Sequence, residues 1–337
     1  MTDSSFASTK GDCLRSLYYS CNRVRLNSVT IVLLNNQFRC QKKHVHLDWG
    51  HCSAASVTLH QNVFQQNTYY DAVVLILANV PLIRVTENTF VDLQGGALSL
   101  TLSGAVDPDI RPVVISDNVI RSVGRERLES AVSVNCILST SAAGSRNISL
   151  TRNEFYFNLA TATLRTSCAG LMVTENVFVN PGASRDYEVR VQYGGGTTMF
   201  AAVNYWNATT FDQVADRIHD YADDENLAVV QASPWYLDLN RTQTASGEHT
   251  FFKGPFEIGG RIESNITLAS VEQPYRVTQH IIIPLGLSLV IEAGVKLLFA
   301  DAGITVEGIP AAAETIANFY SSVLFSAFLV DSSKYLS

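Results

Sequence analysis

The sequence has few charged residues and no basic block. Charged residues make up 16% of its 337 positions, whereas apolar residues make up 47%. That balance excludes a disordered chain and a long solvated helix. Because the net charge of −7 comes without clustered Lys or Arg, no binding to nucleic acid or anionic lipid is expected.

The sequence also lacks a Cys-x-x-Cys pair, so neither a zinc motif nor a thiol-redox motif is indicated. The cysteine count is even, and four N-glycosylation sequons are present. Together these two features favour the secretory pathway. The cysteines are Cys13, Cys21, Cys40, Cys52, Cys136 and Cys168, and the sequons begin at Asn147, Asn207, Asn240 and Asn265.

Neither a leader peptide nor a membrane span is visible in the sequence. Residues 1–11 are polar and lack the apolar core of a signal peptide. The uncharged apolar run Ile316–Val330 is shorter than the roughly 20 residues that cross a bilayer. A cytosolic protein and an internal piece of a longer secreted chain both fit, and we favour the piece.

A short pattern recurs along the first two thirds of the chain. Alternating apolar residues precede an Asn, and a Phe, Ile or Trp follows two positions later, as in Val57-Thr-Leu-His-Gln-Asn-Val-Phe64. A second strand-like segment follows most copies, for example Ala97–Ser103. Two short strands in every 23–35 residues, with no helical pattern between them, are typical of one coil of a β-solenoid. The recurring asparagines are Asn36, Asn62, Asn88, Asn118, Asn153, Asn176 and Asn204.

These repeats predict an all-β fold, a right-handed parallel β-helix. Each coil buries its apolar residues only when coils stack at a spacing of about 4.8 Å. The recurring Asn lies where the chain turns out of a strand, and Asn tolerates the left-handed conformation. Stacked asparagines would form an amide ladder, and the Phe residues would form an aromatic stack in the interior. We therefore predict that the asparagines are architectural and do not form a binding site.

The pattern stops after Trp206, which suggests a division of the chain. A short helix is expected over Phe211–Tyr221, where Val214 and Ile218 have helical spacing. Strands interrupted by Gly or Pro resume after Gly254. The predicted organisation is a β-helix module over 1–206, a linker with a short helix over 207–253, the opening turns of a second β-helix over 254–310, and an atypical tail over 311–337.

Cys136 lies in the strand-like segment Ala131–Ile137, and Cys168 follows the next such segment, Thr161–Thr166. Counted from the starts of these segments, at Ala131 and Thr161, their offsets have the same parity. Both side chains are therefore expected on the same side of adjacent coils. A disulfide and a buried stack without a bridge remain open at this point.

At these residues the chain resembles the bark beetle (Anakonda) family, tandem right-handed β-helix proteins of the pectin-lyase-like type at insect tricellular junctions. The resemblance rests on the Asn-x-Phe coils, on Asn204-Tyr-Trp206, on Arg217-Ile-His-Asp220 with Pro234-Trp235, and on Ile291–Phe299 followed by Val306-Glu-Gly308.

The resemblance implies a module in the extracellular region of a plasma-membrane protein, with a role in cell–cell adhesion. Its implied partners are other cell-surface proteins or copies of itself, and glycans, with no cofactor. One departure from the family is Asn207, which stands where the family is expected to have Gly after Asn-Tyr-Trp and creates a sequon.

An enzyme or a carbohydrate-binding protein is the alternative, because β-helices also include polysaccharide lyases and hydrolases. Hydrolysis requires two carboxyl groups facing one groove, and a lyase requires an acidic calcium site beside a basic residue. No such pair is predicted on the strands, so no catalytic, cofactor or metal residue is assigned. A groove over the solenoid that collects three or more Asp, Glu, His or Arg side chains from adjacent coils would favour the alternative.

Three clusters are weighed against that criterion. His44, His46 and Asp48 alternate along one strand and could form a metal or acid–base cluster, but a solvated outer face is favoured. Glu188 and Arg190 are interpreted as a cross-strand charge pair. The run Asp223, Asp224 and Glu225 is interpreted as a solvated turn, because its spacing fits no calcium loop.

Overall fold

A computed structural model describes most of the chain between Ser5 and Val306. Cys13, Cys21, Cys52, Asn147, Glu225 and the predicted tail 311–337 lie outside the described residues. The described ranges are 5–8, 14–15, 29–49, 55–68, 71–78, 82–103, 113–124, 128–137, 148–168, 171–180, 187–192, 198–224, 226–247, 251–252, 254–262, 264–300 and 302–306.

The first part of the described chain is a series of short strands. In chain order they are β1 (Ser5–Ser8), β2 (Leu14–Arg15), β3 (Val29–Leu34), β4 (Gln37–Cys40), β5 (Val45–Trp49), β6 (Ala55–His60), β7 (Val63–Gln65), β8 (Val73–Ala78), β9 (Leu82–Thr86), β10 (Thr89–Leu93), β11 (Leu98–Ser103), β12 (Val113–Ser116), β13 (Val119–Val123), β14 (Val132–Ile137), β15 (Ile148–Thr151), β16 (Glu154–Tyr156), β17 (Ala162–Thr166), β18 (Leu171–Thr174), β19 (Val177–Val179), β20 (Tyr187–Val191), β21 (Thr198–Phe200), β22 (Ile218–His219) and β23 (Val229–Gln231).

These strands form three parallel sheets, and each coil contributes one strand to each sheet. Pairing is in register along the stack, so that Val113 lies between Ile83 of the preceding coil and Ile148 of the next. The predicted parallel β-helix is confirmed. Sheet I contains β3, β6, β9, β12, β15, β18, β21 and β23; sheet II contains β1, β4, β7, β10, β13, β16 and β19; sheet III contains β2, β5, β8, β11, β14, β17, β20 and β22.

Each coil therefore has three strands, not the two that the sequence suggested. The residue before each ladder asparagine has a positive φ, for example 56° at Gln61 and 57° at Glu87. This residue turns the chain from sheet I into sheet II and divides one apparent strand into two. The asparagine itself does not use the left-handed conformation that Asn tolerates: it points inward, and the turn falls on its exposed or half-buried neighbour. These neighbours are Asn35, Gln61, Glu87, Asp117, Arg152, Glu175 and Val203.

The interior of the solenoid contains the predicted aromatic stack. The ring centroids of Phe64 lie 4.9 Å from Phe38 and 4.8 Å from Phe90. A second run places Phe178 at 5.0 Å from Phe155 and 4.8 Å from Trp206. Ile120 occupies the coil between the two runs and is also buried. The aromatic rings of both runs are thus removed from water, and they stack at the spacing between neighbouring strands of a parallel sheet.

Cys136 and Cys168 form a disulfide between neighbouring coils, with their Cα atoms 4.9 Å apart. The pairing of β14 with β17 explains the contact, because Val134 lies opposite Thr166 and the cysteines follow two residues later. Closing a loop of this length stabilises the folded state by roughly 3–4 kcal/mol in the chain-entropy model. Cys40 is disulfide-bonded as well.

The segment predicted as a linker, 207–253, also adds strands and core to the first module. Its helix, α1 (Phe211–Ala215), is shorter than expected because Ile218 pairs with Val189 in sheet III. Val230 pairs with Met199 in sheet I. A short antiparallel pair follows, formed by β24 (Trp235–Tyr236) and β25 (Thr244–Ala245). The side chains of Val214, Ile218, Val230 and Trp235 belong to the solenoid core.

Strands resume where the sequence predicts a second module, and they are again parallel. They pack around a separate core that includes Ile258, Ile262, Val277 and Ile281. One group of paired strands is β26 (Glu257–Arg261), β28 (Tyr275–Ile283), β30 (Leu297–Phe299) and β31 (Ile304–Val306); the other is β27 (Ile266–Leu268) with β29 (Leu289–Ile291).

Candidate functional site

The seven recurring asparagines form a continuous amide ladder. The Nδ2 of Asn88 donates to the Oδ1 of Asn118 at 3.0 Å, and the Nδ2 of Asn118 donates to the Oδ1 of Asn153 at 2.8 Å. The same Oδ1 of Asn118 accepts the backbone N–H of Asn88 at 2.9 Å, and its Nδ2 also donates to the carbonyl of Val85. Because the amide atoms are bonded within the solenoid, they are not exposed to a ligand.

His44 is buried, which corrects the interpretation that it lies on a solvated outer face. Its Nε2 is 3.1 Å from both the backbone nitrogen and the carbonyl oxygen of Cys40, and its ring stacks on Phe64 at 5.9 Å. Burial lowers the pKa of His44 to about 4, although the backbone carbonyls of Cys40 and Gln65 act in the opposite direction. The imidazole is therefore neutral at physiological pH and extends the aromatic stack.

His46 and Asp48 do not form a metal site with His44. Both lie on β5 and are half-buried, whereas His44 precedes the strand and points into the core. Within the part of the chain that the structure describes, no group of three His, Cys, Asp or Glu side chains has the spacing of a metal site.

Glu188 is buried, and its charge partner is Arg217, not Arg190. The Nη1 of Arg217 donates to Oε1 of Glu188 at 3.1 Å, while Thr163 and Asn180 donate to Oε2 at 2.6 and 2.7 Å. Burial raises the pKa of Glu188, and these three partners oppose the rise. Arg217 follows α1 and lies 29 positions away, so the strand alternation gave no signal of the pair. The cluster therefore connects β20 in sheet III to the segment that precedes β22.

The exposed turn after β22 agrees in part with the prediction. Asp224 is exposed and accepts hydrogen bonds from the backbone and side chain of Asn226, which lower its pKa. Asp223 is also exposed, and its Oδ2 accepts the backbone N–H of Asp220 at 3.1 Å. Asp223 also lines a cleft, which the sequence did not indicate.

The cleft lies at the junction of the two modules and has a volume of about 510 Å³, within the range of roughly 300–1,000 Å³ common for ligand sites. It collects four carboxyl groups, and no sequence pattern predicted their convergence. They come from α1, the residue after α1, the turn after β22, and β26. The lining residues are Tyr187, Asp212, Asp216, Ile218, Asp223, Glu257, Thr278 and Gln279.

A bulge in the second module supplies one wall of this cleft. Ile258 pairs with Val277 whereas Gly260 pairs with Ile281, so one residue of β26 faces three residues of β28. Gly259, at φ 154°, is needed here because a Cβ would approach the carbonyl oxygen of Gln279 to 2.7 Å. Bulges of this kind redirect side chains. The Oε1 of Gln279 is buried and accepts no hydrogen bond from the residues that the structure describes.

Asp220 lies beneath the cleft, in a small cavity that it shares with Asp223 and Gln279. Its two carboxyl oxygens accept the backbone N–H groups of Ala222 at 2.9 Å and Val230 at 2.8 Å. Burial raises the pKa of Asp220 to about 7; the two N–H groups oppose the rise, and the negative charge of Asp223 contributes to it. The sequence placed Asp220 in the family-like segment but did not predict its burial.

The cleft is chemically a polar and acidic site. Glu257 on its wall forms an ion pair with Arg276, whose Nη1 lies 3.8 Å from Oε1 of Glu257. Carboxylates, an amide and a hydroxyl are suited to binding hydroxyl groups or a basic side chain. This cleft does not meet the criterion for the carbohydrate alternative, because its charged side chains converge at the module junction and not in a groove over adjacent coils.

The three sequon asparagines that the structure describes, Asn207, Asn240 and Asn265, are exposed. The Oδ1 of Asn207 accepts the hydroxyl of Tyr205 at 3.1 Å, and the Oδ1 of Asn265 accepts the N–H of Ser288 at 2.9 Å. They differ from the ladder asparagines in burial, because every ladder asparagine is buried.

Within the described ranges, no helix is both long and apolar enough to cross a bilayer. The chain matches no protein-family model, no curated protein and no solved structure.

Proposed function

We propose that this chain is a non-enzymatic extracellular β-helix module of a large cell-surface protein that functions in cell–cell adhesion. The proposal includes membership of the bark beetle (Anakonda)-like group and partners that are cell-surface proteins or further copies of the chain. It also includes N-glycosylation at the sequons.

The observation that carries the proposal is the way in which the coils are connected. The ladder bonds each coil to the next, and the Cys136–Cys168 disulfide adds a covalent connection between two of them. A stack connected in this way is stiff along its axis, and each added coil lengthens the stack without changing its cross-section. Such a rod suits a protein that holds binding surfaces at a fixed distance from a membrane.

The exposed apolar residues of sheet I support a binding role. Met172 and Phe200 are paired on neighbouring strands, and both side chains are about half exposed. In the same outward-facing row of sheet I, Met172 pairs on its other side with Ser149, and Ser149 pairs with Val114. The two neighbouring apolar side chains on this outer sheet face offer a small patch at which a protein partner could bind.

Adhesion is tested by tethering the full chain to non-adherent cells and measuring their aggregation and their binding to epithelial cells. We expect the tethered chain to mediate one or both. A Met172→Ser/Phe200→Ser variant is expected to reduce the effect, and a Thr58→Ser variant on the same sheet face is the matched control. Absence of both activities in correctly folded, surface-exposed protein would contradict the proposal.

Carbohydrate binding at the junction cleft is the second candidate function. It is favoured by the convergence of Asp212, Asp216, Asp223 and Glu257 around Gln279. Titration against a panel of acidic and neutral polysaccharides, with an assay for new reducing ends, tests it. Saturable binding that Asp216→Asn and Glu257→Gln weaken would support this function, and cleavage would contradict the non-enzymatic proposal.

A further inference from the structure

Asn207 differs from the other sequon asparagines in its aromatic neighbour. Tyr205 and Asn207 flank Trp206, which is fully buried as the last ring of the aromatic stack. Alternation along this segment therefore places Tyr205 and Asn207 on the same outer side. Tyr205 is half-buried and Asn207 is exposed.

The backbone brings the two outer side chains together. Asn207 has a φ of 53°, in the left-handed region, so the chain turns directly after Trp206. The hydroxyl of Tyr205 donates to the Oδ1 of Asn207 at 3.1 Å. The Nδ2 of the same amide group makes no hydrogen bond to the residues that the structure describes. It is the atom to which an N-linked glycan is attached.

We propose that Asn207 carries an N-linked glycan whose first N-acetylglucosamine packs against the ring of Tyr205. This inference rests on the extracellular location in the proposed function. Because Oδ1 and Nδ2 belong to one planar amide, a sugar on Nδ2 begins beside the aromatic ring that holds Oδ1. The C–H face of the pyranose is apolar, and it would cover the outer face of Tyr205.

This contact would stabilise the end of the aromatic stack. Tyr205 pairs with Val177 on one side and Tyr236 on the other, so it connects the last ladder coil to β24. A sugar that covers Tyr205 removes part of this connection from water. The glycan would therefore act on the junction between the first module and the segment that follows.

The other described sequons lack this arrangement. Two positions before Asn240 stands Asp238, whose carboxylate accepts the N–H groups of Thr242 and Gln243. The amide of Asn265 is held by Ser288 through its N–H and its hydroxyl. Among the described residues, neither Asn240 nor Asn265 has a hydrogen bond to an aromatic side chain.

The test uses the full chain, secreted from eukaryotic cells with a cleavable leader. Asn147→Gln, Asn240→Gln and Asn265→Gln leave Asn207 as the single sequon. Occupancy is measured by glycopeptide mass spectrometry, and each sample is divided between an endoglycosidase that leaves one sugar and an amidase that removes it. We expect occupancy at Asn207 and a thermal midpoint about 2–4 °C higher in the single-sugar form.

Two variants identify the ring as the cause of the shift. Tyr205→Phe keeps the ring and is expected to retain most of the shift, whereas Tyr205→Val is expected to lose it. The amidase converts Asn207 to Asp in every background, so the effect of that charge cancels in the comparison. An unoccupied Asn207, equal midpoints with the native Tyr, or a full shift in Tyr205→Val would overturn the inference.

Failure of this inference is distinguishable from failure of the proposed function. A chain that mediates aggregation while Asn207 is unoccupied contradicts the glycan contact alone. A chain with the sugar-dependent shift that mediates neither aggregation nor epithelial binding contradicts the adhesive function alone.

Discussion

The solenoid interior and the module junction differ in how their buried polar groups are hydrogen-bonded. In the interior, Asn118 is bonded to the coils on both sides and Glu188 has three side-chain partners. At the junction, burial and the negative charge of the neighbouring Asp223 raise the pKa of Asp220, and the buried Oε1 of Gln279 accepts no hydrogen bond from the described residues. A repeated coil can satisfy a polar group in every layer, whereas a junction occurs once and joins surfaces of different origin.

The largest expected effect comes from breaking the ladder at its centre. Asn118→Ala removes the acceptor of two groups of Asn88 and the donor to Val85 and Asn153, so the free energy of unfolding should fall by about 3–5 kcal/mol. Denaturant unfolding measures the change. Asn240→Ala, on an exposed turn, is the control and should change stability by less than about 0.5 kcal/mol. A loss of stability at Asn118 that is no larger than the loss at Asn240 would contradict a stabilising role of the ladder.

Removal of the disulfide is expected to have a slightly smaller effect. Cys136→Ser/Cys168→Ser should lower the free energy of unfolding by roughly 3–4 kcal/mol, because the unfolded chain gains entropy when the loop opens. Reduction of the wild-type protein also opens the disulfide of Cys40, so it should lower the free energy of unfolding by at least as much over the same denaturant transition. Retention of full stability under both treatments would contradict the prediction.

Acid should weaken the interior through His44. Its pKa is lowered from 6.5 to about 4 in the folded state, so between these values the unfolded chain binds a proton that the folded chain does not. Stability should therefore decrease as the pH falls from about 6.5 to 4, by about 3 kcal/mol. His44→Phe continues the aromatic stack and should remove this part of the pH dependence. An unchanged acid limb in this variant would exclude His44 as its cause.

A rise in pH should destabilise the junction through Asp220. This pH dependence is opposite to that of His44. The pKa of Asp220 is raised from 3.8 to about 7, so between these values the folded chain holds a proton that the unfolded chain has released. Stability should decrease as the pH rises through this window, because the folded state, to release its proton, must leave a negative charge in a buried site beside Asp223. Asp220→Asn mimics the protonated acid and should flatten this limb, as thermal unfolding at several pH values would reveal. Asp224→Asn is the exposed control.

The sequence predicts the repeated features well because each copy reports the same environment. The asparagine and the aromatic residue two positions later recur in coil after coil, and both prove to be buried. The spacing of Cys136 and Cys168 likewise allowed the disulfide that the structure contains. The three-strand coil was missed because the turn before each Asn uses residues as different as Gln61, Asp117 and Val203.

The junction could not be predicted, since it has no repeat. The pair Glu188–Arg217 connects a strand to a residue beyond α1, and neither position marks the other in the sequence. His44 was assigned to a solvated face by alternation, but it lies one residue before β5, where alternation does not apply. The carboxyl groups of the cleft come from separate segments, and only the fold brings them together.

Amide hydrogen exchange at neutral pH, resolved to single residues, tests the contrast between interior and junction most directly. The backbone amides of Asn88 and Asn118, bonded to ladder oxygens, should exchange only through global unfolding. The amides of Ala222 and Val230, bonded to Asp220, should exchange through local opening and become more protected at lower pH after correction for intrinsic rates. Equal protection of the two sets, unchanged by pH, would contradict the contrast.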